Sequence, residues 1–324
     1  MKEEKDEKID DYLYAFSFIK CGCVNANPEK LYTIGVLQFA DHPSLDATYE
    51  GMKEALDKTI GSEHYRIIYQ NAQGENSNNE LMAHGFVSQH VDLIYAIGTN
   101  SAQSAKNATE GTSIPVVFNA VTDPVAAGLV DSMDYPGSSV TGVSDQAPIK
   151  EQLALIKMLL PRAKRMGIVY NMGEINSITQ VEVISSLEKE LEVVAVGITN
   201  MQELPIATQQ LAEKVDVIFN ITDNMVVAST ANIVDIASKY DVPVFASEDG
   251  QINEGILATE SLSYDNLGEH AAELLIYQIV VEKRDLNKLP VLTSNKTKLF
   301  INKQVASQFG IEIPSDLENR NELK

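Results

Sequence analysis

Short apolar runs rich in β-branched residues alternate with amphipathic segments along the chain from Leu31 onward. An apolar run of this length, bounded by turn residues, is typical of a strand buried on both faces, whereas apolar residues spaced three and four apart predict a helix with one buried face. The predicted strands are Tyr32–Phe39, Tyr65–Tyr69, Val91–Gly98, Ile114–Val121, Gly167–Asn171, Val193–Thr199, Val215–Thr222 and Val242–Ser247, and the predicted helices are Asp46–Ile60, Glu80–Gln89, Ile178–Leu191, Ile206–Lys214 and Val227–Tyr240. This alternation predicts an α/β fold with doubly wound parallel sheets.

The two halves of the chain resemble each other. Val91–Asn100 aligns without gaps on Val215–Asn224, and two further strand matches follow the same order with nearly the same spacing. Parallel strands resemble each other by composition, so one match is weak, but three in order indicate a repeat. The pattern therefore predicts two similar lobes, the first beginning near Leu31 and the second near Lys150. The two further pairs are Ile114–Phe118 with Val242–Ala246, and Ile34–Leu37 with Met166–Val169.

Polar clusters follow the predicted strands. In open α/β sheets ligands bind beyond the carboxyl ends of the strands, where helix starts offer free N–H groups. Helix capping alone would place one Ser, Thr, Asp or Asn at each of these positions. Thr99–Ser101 and Thr222–Asn224 each supply three polar side chains, and this surplus favours a ligand site between the lobes. The hydroxyls and helix start of Thr99–Ser101 suit a carboxylate, and Asp223 opposite them suits an ammonium, so the pair predicts an amino acid zwitterion.

Composition excludes several classes of function. A chain of 324 residues with a net charge of −21 lacks the clustered basic residues that nucleic acid binding requires. It carries no nucleotide-binding glycine loop and no nucleophile elbow, so we expect neither an enzyme nor a cofactor. No structural metal is expected, because Cys21 and Cys23 have no completing cluster. The histidines are scattered, and we expect surface or capping roles for His42, His64, His84, His90 and His270.

The first thirty residues form a leader or linker. An acidic segment precedes the short apolar run Tyr12–Ile19, after which come Cys21 and Cys23. A secretory signal has a basic start and a longer apolar region, so the acids depart from that pattern. A Cys after Gly, followed by a polar linker, nevertheless has the form of a lipoprotein junction at Cys23. A tail with incidental cysteines is the alternative.

At its polar clusters the sequence resembles the ABC-transporter substrate-binding proteins, of the family that includes tryptophan- and tyrosine-binding lipoproteins. The likeness extends from Tyr32 to Ile313, and Met172 stands where the family more often has Pro. The segments that carry the resemblance are Ile34–Gln38, Ile97–Asn100, Val121–Pro124, Thr141–Asp145, Tyr170–Glu174 with Asn176 and Ser177, and Thr222–Asn224.

This resemblance implies a type I periplasmic-binding-protein fold, in which three crossovers form the hinge. The crossovers are expected near Ser144–Ile149, Ser261–Asp265 and Leu289–Ser294, and the helix Asn266–Val281 is expected on the first lobe. The implied divisions are a leader of residues 1–30, a first lobe of 31–146 with 263–290, a second lobe of 147–262 with 291–314, and a tail of 315–324.

The function implied is the extracytoplasmic, lipid-tethered solute-binding component of an ABC importer. Its partners would be a small polar ligand, by resemblance an aromatic amino acid, and the membrane permease, and the protein would be a monomer. The ring would stack between Phe39 and Tyr170. Alternatives are the sensing module of a receptor or regulator of the same fold and an α/β enzyme of another class. The candidate ligand-binding residues are Gln38, Phe39, Thr99, Asn100, Ser101, Thr122, Asp123, Ser144, Asp145, Tyr170, Asn171, Glu174, Asn176, Ser177, Asp223, Asn224 and Glu248.

Overall fold

Two six-stranded sheets organise the protein in a computed structural model that describes residues 31–294 and 296–323. The strands are β1 Tyr32–Gln38, β2 Tyr65–Asn71, β3 Leu93–Ile97, β4 Val116–Asn119, β5 Val140–Ser144, β6 Arg165–Asn171, β7 Glu192–Ile198, β8 Val217–Asn220, β9 Val244–Ala246, β10 Ala258–Leu262, β11 Leu292–Thr293 and β12 Thr297–Ile301. The first sheet has the order β11-β5-β4-β3-β1-β2 and the second the order β12-β10-β9-β8-β6-β7.

The same strand order in both sheets confirms the predicted fold class of two doubly wound lobes. All neighbouring strands are parallel except β12, which pairs antiparallel with β10 at the edge of the second sheet. In each lobe the strand order reverses next to the first strand, between β1 and β3 and between β6 and β8. Such switch points open a crevice at the carboxyl ends of the strands.

Helices cover both faces of each sheet, and their apolar sides form the cores. Two buried apolar clusters flank the first sheet and two flank the second. The helices are Pro43–Thr59, Asn76–Ser88, Thr99–Thr109, Ile149–Leu159, Ile175–Leu187, Leu204–Ala212, Asn224–Val227, Thr230–Ser238, Tyr264–His270, Lys303–Gln308 and Ser315–Arg320, with a π-helix at Ala271–Val281 and 3₁₀ turns at Met201–Glu203, Asp249–Glu254 and Leu286–Lys288.

Some helix bounds differ from the predicted ones for local reasons. The first helix begins at Pro43, because proline suits the first helical turn, where its missing N–H is not needed. The predicted helix Val227–Tyr240 is divided in two, since Ser229 adopts φ −120° and ψ 14°, which interrupts the helical backbone. No helix among the described residues is long and apolar enough to cross a membrane.

The chain passes between the lobes three times. It leaves the first sheet after β5, returns after β10 as Tyr264–His270, and leaves again between β11 and β12. The returning helix crosses Pro43–Thr59 closely, because Gly51 and Gly268 lie at the contact. A Cβ at Gly268 would collide with the Thr48 carbonyl, so only glycine allows this approach.

Two of the predicted divisions differ in detail from the structure. Leu292 and Thr293 pair with β5 of the first sheet, although they fall within the segment assigned to the second lobe. The segment set apart as a tail contains the helix Ser315–Arg320, with Leu317 buried in the second lobe's core.

Candidate functional site

The predicted polar clusters meet where the carboxyl ends of the two sheets face each other. Of the seventeen candidate residues, all but Asp123 and Tyr170 are buried. In a folded protein a buried polar group is ordinarily hydrogen-bonded, so the partners of each group show whether it supports the fold or is left for a ligand.

On the first lobe the site is built on the start of the helix Thr99–Thr109. Gly98 precedes this helix with φ +92°, a conformation that glycine adopts without strain. The side chains that follow are held by the neighbouring helix: Asn100 Nδ2 donates to Asn76 Oδ1 at 2.8 Å, and Ser101 Oγ donates to Asn79 Oδ1 at 3.0 Å. Asn100 Oδ1 is buried without a hydrogen-bond partner among the described residues.

On the second lobe Glu174 is the centre of a hydrogen-bond network. Its Oε1 accepts from Asn171 Nδ2 at 3.1 Å, and its Oε2 accepts from Asn224 Nδ2 at 2.6 Å and from Asn176 Nδ2 at 3.3 Å. The backbone N–H of Asn224 also donates to Oε2 at 3.1 Å. These bonds satisfy the carboxylate from within the lobe, so Glu174 positions its neighbours.

The structure gives Asp223 a capping role within the second lobe. Its Oδ2 accepts from the backbone N–H of Asn171 at 2.6 Å, and its Oδ1 accepts from the N–H of Val226 at 3.0 Å. Both oxygens therefore cap backbone, and the contact of Asp223 with a ligand ammonium stays a prediction. Burial and the neighbouring Glu174 carboxylate raise the pKa of Asp223 to about 7.

At the strand ends that form this site, two other buried carboxyl groups keep an oxygen without a partner among the described residues, Asp145 Oδ1 and Glu248 Oε2. The other oxygen of Asp145 accepts from the Tyr264 hydroxyl at 2.9 Å. Burial raises the pKa of Asp145 and raises that of Glu248 to about 8, with the charge of Asp145 adding to the effect on Glu248. A cation placed between them would favour the ionised carboxylates and so lower both pKa values.

The lobes contact each other at this site. His42 Nε2, on the first lobe, lies 3.2 Å from Asn224 Oδ1 on the second. A Cβ added to Gly250 would lie 2.6 Å from Ser44 Oγ, so the turn after β9 abuts the start of the helix Pro43–Thr59. The structure is therefore closed at these points.

A family model of the ABC transporter substrate binding proteins matches residues 33–322. The chain belongs to this family. As a substrate-binding protein it shares the coarse properties of the family, which binds small solutes outside the cytoplasm and works with ABC permeases.

Relatives named for their ligands are similar over most of the chain. A "Tyrosine-binding protein" of Clostridioides difficile strain R20291 is 41% identical over 278 residues, which cover 85% of this chain and 79% of that protein. The structure of a Streptococcus pneumoniae ABC domain in complex with L-Trp is 31% identical, with a TM-score of 0.86 over 90% of this chain and 99% of that one. A ligand-free, open substrate-binding protein with adhesive properties from Clostridium difficile is 37% identical, with a TM-score of 0.68 over 90% of this chain and 98% of that one.

Three predicted residues of the substrate-binding protein lie in other surroundings. Asp123 accepts from the backbone N–H groups of Val125 and Ala126, so it caps an exposed turn. Phe39 packs in a core cluster of the first lobe. Tyr170 packs against a core cluster of the second lobe, and its ring lies over Gly197. Each aromatic side chain therefore packs with the core of its own lobe, and the ring sandwich between Phe39 and Tyr170 stays a prediction.

The remaining candidates are placed at the site by hydrogen bonds. Ser144 Oγ donates to the Thr122 carbonyl at 3.2 Å, which joins the ends of two first-lobe segments. Gln38 Nε2 donates to Asp46 Oδ1 at 2.7 Å, and its Oε1 has no described partner. Ser177 Oγ accepts from Asn176 Nδ2 at 3.4 Å.

Sequence reasoning missed four residues of the site. His42 is buried and bonded to the other lobe, so the expected surface or capping role is wrong for it. Ser44 Oγ is buried beside it, and its hydrogen bond to Glu248 opposes the rise in the pKa of that carboxyl group. Asn76 and Asn79 support the turn at residues 99–101, and they lie three residues apart on the helix Asn76–Ser88, whose start the prediction placed later, at Glu80. The lipidation candidate Cys23 lies outside the described residues.

Proposed function

We propose that this substrate-binding protein captures an aromatic amino acid, tyrosine or tryptophan, and delivers it to the permease of an ABC importer. The ligands named for two of its relatives, tyrosine and L-Trp, support this class of solute. We propose further that it is a binding protein without catalytic activity, monomeric, and tethered outside the cell membrane through a lipid on Cys23.

One observation carries the proposal: a set of buried polar atoms at the strand ends has no hydrogen-bond partner within residues 31–294 and 296–323. An unsatisfied buried donor or acceptor costs about 1–3 kcal/mol, so several at one place indicate that a polar solute completes them. The atoms are Gln38 Oε1, Asn100 Oδ1, Asp145 Oδ1, Asn176 Oδ1 and Glu248 Oε2.

The chemistry of these atoms assigns the two ends of an amino acid. All five are carbonyl or carboxyl oxygens, which accept hydrogen bonds, and an ammonium donates three. Asp145 and Glu248 are the acids among them and take the ammonium in this proposal, in place of Asp223. The carboxylate is assigned to the free N–H groups at the start of the helix Thr99–Thr109, where the helix dipole favours an anion.

The arrangement of the lobes supports a clamp that closes on its ligand. The TM-score is higher with the L-Trp complex than with the ligand-free open structure, although the open protein is more similar in sequence. A conformation populated by ligand would hold the strand ends together as they are here.

The role of a sensing module in a receptor or regulator is not favoured, because the family model that matches residues 33–322 is that of the ABC transporter substrate binding proteins. A transcription regulator of Lactococcus lactis shares only the fold, at 16% identity and a TM-score of 0.56.

The experiment is a fluorescence and calorimetric titration of the purified chain. The sequence contains no tryptophan, so added L-tryptophan is the only indole in the cuvette. We expect saturable, blue-shifted indole emission, competition by L-tyrosine, and weak binding of tyramine and 3-(4-hydroxyphenyl)propionate, which lack one charged end each. If tryptophan, tyrosine and phenylalanine all fail to bind at millimolar concentration, the proposed ligand is wrong.

A further inference from the structure

His42 joins the lobes through a hydrogen bond whose direction is fixed. The residue precedes the helix Pro43–Thr59 in an extended conformation, and its side chain makes no capping bond to that helix. Its ring turns to the second lobe instead, with Nε2 at 3.2 Å from Asn224 Oδ1. The side chain is 4% exposed, so the contact is shielded from water.

The network behind Asn224 determines which ring nitrogen carries the hydrogen. Asn224 Nδ2 donates to Glu174 Oε2 at 2.6 Å, so the amide nitrogen faces Glu174 and the amide oxygen faces His42. An amide oxygen only accepts, and therefore His42 Nε2 must be the donor. The series Glu174–Asn224–His42 selects the Nε2–H tautomer.

The second ring nitrogen keeps the ring neutral. His42 Nδ1 is buried and has no hydrogen-bond partner among the described residues. A proton there would be unsatisfied, and burial lowers the pKa of His42 to about 4 against the opposing effects of Asn224 and Asp41. The charged or titratable groups around the ring are Asp41 on its own loop, Glu174 behind Asn224, and Glu248 beyond Ser44.

We propose that His42 is a positioning residue that latches the closed lobes through its neutral Nε2–H tautomer, so that acid opens the cleft and speeds release of the ligand. The proposal rests on the proposed function for its ligand. When the lobes separate, the ring loses Asn224 and gains water, and an exposed imidazole titrates at about pH 6.5. Protonation therefore favours the open form, in which water solvates the charged ring.

The kinetic test uses L-tyrosine and three variants. We expect His42→Phe, which lacks the donor, to release L-tyrosine about 5- to 20-fold faster, the range expected for one lost hydrogen bond. His42→Gln can place an amide donor near the position of Nε2, so its rate at pH 7.5 should stay near that of the parent. The exposed His84→Gln is the control. Equal release rates in the parent, His42→Phe and His84→Gln would overturn the latch.

The pH profile separates a latch from a structural role. Release from the parent should quicken as the pH falls from 7.5 to 5, and this increase should shrink in His42→Gln and persist in His84→Gln. An unchanged profile in His42→Gln would contradict the proposal, since the remaining titration would belong to the acids of the site.

A spectroscopic arm does not depend on which solute closes the lobes. Proton–nitrogen correlation spectra of histidine-labelled protein at pH 7, saturated with any solute shown to bind, should show His42 as the Nε2–H tautomer, and this signal should change in Asn224→Ala but not in Asn107→Ala. If no aromatic amino acid binds, the proposed function fails, while this arm, run with another solute that binds, still decides the latch. An Nδ1–H tautomer, or a signal indifferent to Asn224→Ala, would overturn it.

Discussion

Asn100 and Asn224, which the internal repeat aligns, occupy equivalent positions at helix starts on opposite lobes. Each donates its side-chain N–H to the beginning of a neighbouring helix, Asn100 to Asn76 Oδ1 at 2.8 Å and Asn224 to Glu174 Oε2 at 2.6 Å. The partner is a neutral amide in the first lobe and a carboxyl group in the second. The two halves thus keep one geometry and differ in the polar group that holds the asparagine side chain.

Asn100→Ala should weaken binding of L-tyrosine about tenfold, because loss of the hydrogen bond from Asn100 to Asn76 loosens the helix start assigned to the carboxylate. Isothermal titration measures this effect, with the exposed Asn107→Ala on the same helix as the control. Tyramine, which has no carboxylate, should bind both variants alike. A loss of the same size for tyramine would remove the carboxylate assignment.

Ser101→Ala should act on stability as well as on affinity. Its hydroxyl donates to Asn79 Oδ1, and Asn79 Nδ2 already lacks a partner in the part of the chain that the structure describes. Losing the hydroxyl should lower the free energy of unfolding by about 1–3 kcal/mol. Urea unfolding measures the loss, and a variant as stable as the parent would contradict the contact.

Glu248→Gln should separate binding from stability. Burial raises the pKa of Glu248 from 4.5 to about 8 in the folded chain, with Asp145, Asp249 and Asp223 adding to the shift and Ser44 opposing it. Between these pH values the folded protein binds a proton that the unfolded chain has lost. The stabilising contribution is therefore full below pH 4.5 and declines as the pH rises to about 8.

The glutamine variant, which has no carboxyl group, should lose this part of the pH dependence and be the more stable ligand-free protein at pH 8. It should bind L-tyrosine more weakly, since the ammonium loses a charged partner, but 3-(4-hydroxyphenyl)propionate about as weakly as the parent does. Thermal unfolding from pH 5 to 8 and calorimetry measure the two effects. Tighter binding of L-tyrosine by the variant would refute the ammonium assignment.

Ligand should also change the shape of the protein in solution. If the contacts of His42 with Asn224 and of Ser44 with the turn at Gly250 form on closure, saturating L-tyrosine should lower the radius of gyration measured by small-angle X-ray scattering. Superimposable curves with and without a ligand shown to bind would argue against a clamp.

The fold could be predicted from the sequence to the level of its lobes. Apolar runs such as Val91–Gly98 and Val215–Thr222 recur with one spacing, and buried strands need that composition wherever they lie. The antiparallel β12 was not predicted, because its five residues alternate like any short edge strand and its partner β10 lies far back in the chain.

The site could be predicted in location but less well in roles. Asp123, Asp145 and Asp223 all follow strands, and only their contacts separate a turn cap, an acid with a free oxygen and a helix cap. His42 and Asn224 are 182 residues apart, so no local pattern could indicate their bond. Local capping rules predict which positions are polar, and tertiary contacts decide which polar atoms remain for a ligand.

The last prediction concerns the C-terminal helix, which holds the edge of the second lobe. Arg320 Nη2 contacts both carboxylate oxygens of Glu260 on β10, at 2.9 and 3.0 Å. The Glu260 side chain is 5% exposed and that of Arg320 is 58% exposed, so the pair is buried on the acid side only. Thr297 on β12 also donates to Glu260, at 2.6 Å, and partly satisfies it.

Arg320→Ala should therefore lower the free energy of unfolding by about 1–3 kcal/mol, less than for a fully buried pair, because solvent screens the arginine and Thr297 remains. The exposed Arg162→Ala removes the same charge elsewhere and should cost little. Denaturant unfolding of both variants gives the comparison, and L-tyrosine affinity should be unchanged in each, since the pair lies outside the ligand site. Equal stability of the two variants would mean that the C-terminal helix is held by Leu317 in the core and not by this ion pair.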